Sequence, residues 1–116
     1  MDYQKINKVY FLGIGGIGMS ALARFFMSLG KSVYGYDRIK TPLTDKLISE
    51  GARINFNENI DSIPGDTDLV IYTPAIQNTN SIFRYFQEKG YKIYKRSEIL
   101  GLITKGHFTI AVAGTH

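Results

Sequence analysis

Val9-Tyr10-Phe11-Leu12-Gly13-Ile14-Gly15-Gly16-Ile17-Gly18-Met19-Ser20 decides how this chain folds. A short apolar and aromatic run enters a glycine loop, and the loop enters a segment with helical spacing. Gly13, Gly15 and Gly18 fit the G-x-G-x-x-G pattern of a dinucleotide-type site. Glycine lacks a side chain, so backbone N–H groups in such a loop can approach a diphosphate closely. The first turn of the following helix adds unpaired N–H donors and the positive end of its dipole. Phosphate or diphosphate binding is therefore the first expectation.

Working outward, residues 8–12 predict a buried strand and residues 16–29 a largely buried helix. The polar residues of that helix, Ser20, Arg24 and Ser28, fall on one narrow stripe, and the rest of it is apolar. Gly30 ends the helix, and residues 32–37 form a second strand. Thr41 and Pro42 are the N-cap and first position of a second helix, which stops at Gly51. Residues 52–56 read as a third strand, and Asn57 to Asp68 as a loop with one helical turn. Residues 68–73 are a fourth strand that Pro74 terminates. Asn80 or Ser81 caps a helix that runs to about Lys89, and residues 91–94 form a fifth strand. Residues 97–104 make a short last helix, and residues 108–113 a sixth strand.

Strands alternating with helices imply βαβ units, a parallel sheet and right-handed crossovers. The expected fold is α/β: a Rossmann-like three-layer domain with a parallel sheet of about five strands in the order 3-2-1-4-5 and helices on both faces. That order places a switch point between strands 1 and 4, where ligands bind beyond the strand C-termini. Three segments should meet there: the glycine loop, Asp37, and Thr73-Pro74-Ala75-Ile76. Asp37 lies 19 residues past Gly18, the distance expected of an acid that contacts a ribose or base. The glycines have a plainer explanation in close strand–helix packing, which suits Gly18 well and Gly15 and Gly16 poorly.

Composition narrows the function classes. A chain of 116 residues with 44% hydrophobic residues can bury a real core. It has no cysteine, so disulfide frameworks and thiolate metal sites are excluded, which suits the cytoplasm. No apolar run reaches the ~18 residues of a membrane span, and the polar start Met1-Asp2-Tyr3-Gln4-Lys5 is not a signal peptide. Membrane insertion is not expected. Lys89, Lys92, Lys95 and Arg96 read as a solvated strand edge with one anion contact, not as a nucleic-acid patch. Catalytic equipment is missing. The two histidines, His107 and His116, lack a third ligand at metal spacing, no serine sits in a G-x-S-x-G elbow, and Asp66 and Asp68 read as a solvated turn. No catalytic residue and no metal site is assigned.

The spelling Gly13-Ile14-Gly15-Gly16-Ile17-Gly18-Met19-Ser20 resembles the opening of the Mur ligases of peptidoglycan synthesis, in particular the branch that joins L-alanine to UDP-N-acetylmuramic acid. The resemblance continues through Gly35-Tyr36-Asp37, where the family usually has G-S-D, and Thr73-Pro74-Ala75-Ile76, where it has S-S-A-I. Arg96-Ser97-Glu98-Ile99-Leu100 resembles its R-A-E-M-L, and Ala111-Val112-Ala113-Gly114-Thr115-His116 the strand and start of its ATP loop, G-T-H-G-K-T. The branch that recycles murein tripeptide has a G-I-C-G loop instead.

The resemblance implies a three-domain, ATP-dependent enzyme. Its N-terminal Rossmann-like domain binds the UDP part of the substrate, a central domain binds ATP, and a C-terminal domain helps to bind the amino acid. ATP with Mg2+ phosphorylates the muramyl carboxylate, and the L-alanine amine then displaces phosphate to give the amide. By this resemblance residues 1–107 are the UDP-substrate domain, and residues 108–116 are the first strand and start of a truncated ATP domain. Such a chain is expected to be a monomer, to bind the UDP-sugar and no other cofactor, and to be inactive alone. Gly15, Gly16, Ile17, Gly18, Met19 and Ser20 would line the diphosphate, Asp37 would contact the uridine, and Thr73, Ala75 and Ile76 would border the uracil or ribose. Arg96 would help at the sugar-phosphate side, and Gly114, Thr115 and His116 would begin the ATP loop. Two departures stand out. Asn55-Phe56-Asn57-Glu58-Asn59 lacks the G-H pair that the family often has after strand 3, and Pro74 removes a backbone donor. Two other functions fit the fold: an NAD-binding domain of a dehydrogenase, since Asp37 suits an NAD ribose, and a regulatory nucleotide-binding module.

Overall fold

The computed structural model describes residues 3–104, with the side chain of Tyr3 left out. The expected sixth strand, His107, and the Gly114-Thr115-His116 segment lie outside the described residues. After a 3-10 turn at Tyr3–Lys5, which has no counterpart in the sequence reading, come β1 (Lys8–Leu12), α1 (Ile17–Ser28), β2 (Ser32–Tyr36) and α2 (Pro42–Ser49). They are followed by β3 (Arg53–Asn55), a 3-10 turn at Ile60–Ser62, β4 (Leu69–Tyr72), α3 (Ser81–Glu88), β5 (Ile93–Lys95) and α4 (Arg96–Thr104). The strands form one five-stranded, all-parallel sheet in the order β3-β2-β1-β4-β5.

β1 is central because both of its faces are apolar. Val9 and Phe11 join Val33, Leu69 and Ile71 under Met19, Leu22, Ala23 and Phe26 of α1, Leu47 of α2 and Ile99 of α4. Tyr10 and Leu12 face the other way, with Tyr36 and Val70, under Ile63 and under Ile82 and Phe86 of α3. The strand period of two thus splits one run of residues between two cores.

Three helix-to-strand corners share one device. In each, a glycine of positive φ (Gly30, Gly51 and Gly90) follows the last helical turn. Its N–H and that of the next residue turn back to helix carbonyls: Gly30 to Met27 and Lys31 to Phe26, Gly51 to Ile48 and Ala52 to Leu47, Gly90 to Gln87 and Tyr91 to Phe86. These are Schellman caps. At the last corner the customary hydrophobic contact is the Tyr91 ring against Phe86, with centroids 5.1 Å apart. This explains why β5 begins at Ile93 and not at Tyr91: Tyr91 is spent on the cap. β3 is likewise shorter than residues 52–56, because Ala52 closes the α2 cap.

The Ser20–Arg24–Ser28 stripe of α1 is split between core and solvent. Ser20 is buried, with its hydroxyl donating to the Ile17 carbonyl at 2.8 Å, while Ile17 is 86% exposed and Ala21 is exposed. The arc Met19–Leu22–Ala23–Phe26 turns to the sheet, and Arg24 ties α1 to the end of α2 by donating from Nε to Glu50 at 2.8 Å. Asp66 and Asp68 are more than a solvated turn. One Asp68 oxygen accepts the N–H groups of Asn7 (2.8 Å) and Lys8 (2.9 Å), and Asp66 pairs with Lys8 Nζ at 2.7 Å, so the pair anchors the start of β1.

The Tyr10 hydroxyl is buried and has no hydrogen-bond partner among the described residues, and burial pushes its pKa well above that of an ordinary tyrosine. Burial, first of all, also raises Tyr36 and Tyr91. A raised folded-state pKa means that the unfolded chain releases protons first, at pH ~10, and stability falls as pH climbs beyond that point. Tyr10→Phe removes an orphaned hydroxyl and keeps the ring, so its melting temperature at pH 7 should equal or exceed that of the parent. Its loss of stability above pH 10 should be shallower but not abolished, because Tyr36 and Tyr91 remain. Thermal melts from pH 7 to 11 check both points.

Candidate functional site

Each βα unit ends a strand and begins a helix on the same edge of the sheet, so the N-termini of α1, α2 and α3 gather there. Two of them are already capped. Thr41 and Thr44 form a reciprocal capping box on α2, with Pro42 in the first turn. Asn80 Oδ1 accepts from Ile82 and Phe83 on α3, and Glu58 Oε1 accepts the Ser81 N–H at 2.7 Å. α1 differs. Its N-cap is Gly16, no side chain caps it, and its first turn carries no acid. The first intrahelical bond is from Ser20 N–H to the Gly16 carbonyl, so the N–H groups of Ile17, Gly18 and Met19 precede the ladder. The half-buried Arg96 lies against this same turn: a Cβ on Gly18 would stand 2.8 Å from its Cζ. Among the described residues Arg96 makes no ion pair. A cation at the positive end of a helix is unfavourable unless an anion joins it. The arrangement is electrostatically fitted to a phosphate group.

The glycine loop is held from both sides. Gly13, at φ 90°, and Ile14 both donate to the Tyr36 carbonyl, at 2.8 and 3.1 Å. Gly15 donates to Asp37 Oδ2 at 2.8 Å, and the other oxygen of that carboxylate accepts the Ile39 N–H at 3.0 Å. Asp37 therefore latches the loop to the end of β2, and each oxygen retains a lone pair for a ligand hydroxyl. The glycines separate by role. A Cβ on Gly15 would meet Asp37 Oδ2 at 2.8 Å and Thr44 at 3.0 Å. Gly18 makes room for Arg96, which belongs to α4 and not to a strand. Packing thus accounts for Gly15 as well as Gly18. A Cβ on Gly16 would meet nothing closer than 3.7 Å, so packing does not demand that glycine.

An open cleft of about 640 Å3 extends from the loop across the β1–β4 switch point. Of the residues singled out from sequence, Gly16, Asp37, Thr73, Ala75 and Ile76 line it, joined by Gly13. Thr73 to Ile76 form a turn in which the Ile76 N–H donates to the Thr73 carbonyl at 3.0 Å, with Pro74 at the second position. Gly15, Ile17, Gly18 and Arg96 do not line it: Ile17 and Gly18 follow the lining Gly16 in the first turn of α1, and Arg96 packs on Gly18. The side chains of Met19 and Ser20 are buried, so only their backbones can serve a ligand.

Sequence reading missed several lining residues. Arg38 and Ile39 follow Asp37 directly, and Gln77, Thr79 and Asn80 form a polar run just beyond the Thr73 turn. Both were legible as strand-end neighbours of the chosen motifs. Glu58 carried no such signal, because it reaches the cleft only through the placement of β3 beside β2. Among the described residues no group of His, Asp or Glu side chains is arranged to hold a metal ion, and no helix is long and apolar enough to cross a membrane.

The profile described as "Mur ligase family, catalytic domain" matches residues 8–108. A UDP-N-acetylmuramate--L-alanine ligase of Flavobacterium psychrophilum is 52% identical over all of this chain. The chain spans 27% of that relative's length. Among solved structures, a UDP-N-acetylmuramate-alanine ligase of Thermotoga maritima superposes with a TM-score of 0.79 at 36% identity, covering 84% of this chain and 23% of that one. A murein peptide ligase of Psychrobacter arcticus superposes with a TM-score of 0.73 at 26% identity, covering 82% of this chain and 20% of its own.

Proposed function

The chain belongs to the Mur ligase family, and on that premise we propose that it binds the UDP part of UDP-N-acetylmuramic acid for an ATP-dependent ligase that adds L-alanine in peptidoglycan synthesis. The observation that carries the reading is the uncapped start of α1, with Arg96 packed on Gly18 and the cleft opening beside it. A diphosphate supplies the negative charge which that helix end and that guanidinium both call for. Gly16, Ile17, Gly18, Met19 and Ser20 serve it through backbone N–H groups, with Gly15 held in line by Asp37. Asp37 takes a ribose hydroxyl on its remaining lone pairs, and Thr73, Ala75 and Ile76 wall the nucleoside. Arg96 neutralises charge on the sugar-phosphate side.

In the whole ligase a carboxylate must be made electrophilic before an amine can attack it, and ATP with Mg2+ supplies that activation. We place residues 1–107 in the UDP-substrate domain and residues 108–116 at the start of the ATP domain, with Gly114, Thr115 and His116 opening its phosphate loop. The chain is a cytoplasmic monomer that positions a substrate and performs no chemistry alone.

Calorimetric titration tests this. UDP-N-acetylmuramic acid should bind the chain measurably and more tightly than NAD, with no ATP turnover. Binding of NAD without the UDP-sugar would replace this reading with the dehydrogenase one.

A further inference from the structure

A parallel sheet sends every connection that enters a strand to one edge, here the edge opposite the cleft. That edge carries the start of the chain and the corners that lead into β2, β3, β4 and β5. Its acids are spent within the fold. Glu50 accepts from Arg24 Nε at 2.8 Å, Asp66 pairs with Lys8, and Asp68 holds the N–H groups of Asn7 and Lys8. Its cations are not. Besides Lys8 the edge bears Lys5, Lys31, Arg53, Lys89 and Lys92, and of these Lys5, Arg53, Lys89 and Lys92 enter no ion pair among the described residues. Glu88, which ends α3, is the acid left to answer them. Three of the cations lie against tyrosine rings. Arg53 Cζ stands 5.4 Å from the centre of the Tyr34 ring, Lys89 Nζ 5.7 Å from that of Tyr85, and Lys92 Nζ 4.9 Å from that of Tyr94.

We propose that this edge docks, without inserting, on an anionic phospholipid surface. Strands lie ~4.8 Å apart, so β3 and β5, at the two ends of the sheet, are separated by roughly 20 Å. The cations thus form a broad front on separate connections. A bilayer meets such a front without a shaped groove, because its phosphates are many and mobile. An acidic protein would need carboxylates already placed opposite each connection. Tyrosine and lysine together also suit the headgroup layer, where the ring takes the apolar side and the ammonium the phosphates. An open cavity of about 240 Å3 on this edge, lined in part by Lys31, Tyr34 and Arg53, has room for one headgroup. Glu50 lines it too, with its charge answered by Arg24. The cleft lies at the other edge, so a docked chain keeps it open to solvent. Docking is independent of what fills that cleft.

Vesicle sedimentation tests this with the 116-residue chain. The chain should pellet with vesicles that mix phosphatidylglycerol into phosphatidylcholine, ignore phosphatidylcholine alone, and be released at about 0.5 M salt. Each basic residue near such a surface is worth about fivefold in partition, so Lys89→Gln/Lys92→Gln should lower it roughly 20-fold. Its melting temperature should stay within a few degrees of the parent, since both side chains are exposed. Arg84→Gln/Lys95→Gln removes the same charge from the cleft half of α3 and β5 and should keep most of the binding. Equal losses in the two double variants would mean that net charge alone draws the chain, which overturns a docking edge. A parent chain that ignores anionic vesicles, while Lys89→Gln/Lys92→Gln melts lower, would leave the lysines as complements of the helix end and overturn the proposal. Capture by poly-glutamate without capture by vesicles would do so as well, in favour of an acidic protein.

Discussion

Gly13→Ala is expected to cost about 4 kcal/mol of folding stability, the sum of a strained backbone and an overfilled corner. Gly13 sits at φ 90°, a region that L side chains rarely adopt, and a Cβ there would fall 2.3 Å from Thr73 Cγ2. Neither problem can relax cheaply. The Gly13 N–H is bound to the Tyr36 carbonyl at 2.8 Å, and the Thr73 N–H is bound to the Leu12 carbonyl at 3.2 Å, so both sides of the clash are pinned to the sheet. The two causes can be separated. Thr73→Ser removes the colliding methyl and leaves the dihedral strain, so Gly13→Ala/Thr73→Ser should recover about half of the loss relative to Gly13→Ala alone. Urea denaturation of the four proteins in this cycle measures it. A destabilisation below about 1 kcal/mol for Gly13→Ala would mean that the loop can adopt another conformation.

That corner also shows what sequence could and could not convey. β1, α1 and the strand order follow from local signals: apolar runs, helix-ending glycines and the alternation that demands crossovers. The Schellman corners at Gly30, Gly51 and Gly90 were visible because their chemistry lies within a few consecutive residues. The site was legible only in part. Gly13, Gly16, Asp37 and the Thr73 turn converge as expected, because each lies at the C-terminal end of a strand whose place in the sheet was inferred. Packing explains Gly18, as expected, but it also explains Gly15, for which it is a poor reason on sequence alone: that glycine answers to Asp37 and Thr44, contacts that span long stretches of sequence and leave no local trace. Ser20 is buried, and its hydroxyl is satisfied within its own helix by the Ile17 carbonyl. Glu58 was overlooked because its partner, Ser81, belongs to an element 23 residues away.

Gly16→Val isolates the one glycine of the loop that packing does not require. Its backbone, at φ −68° and ψ 151°, is ordinary extended geometry that valine favours, and a Cβ would find no neighbour closer than 3.7 Å. The folded state should therefore tolerate the change at a cost of about 1 kcal/mol or less, the difference between glycine and a branched residue at an N-cap. Binding should respond quite differently. Gly16 lines the cleft and immediately precedes Ile17, Gly18 and Met19, whose N–H groups form the open end of α1. An isopropyl group there would stand between those donors and any diphosphate, and the loss of several charge-assisted backbone bonds corresponds to roughly 100-fold or more in affinity. UDP-N-acetylmuramic acid titrated into Gly16→Val should accordingly bind at least 100-fold more weakly than into the parent chain, while the melting temperatures differ by only a few degrees. Gly16→Ala, with a smaller side chain, should fall between them. If affinity survives the valine, the ligand does not rest on the start of α1, and the spelling of the loop serves folding alone. The opposite pattern, weak binding in a chain that also melts far below the parent, would show that Gly16 is structural after all, although a Cβ there meets its neighbours only at ordinary van der Waals distance.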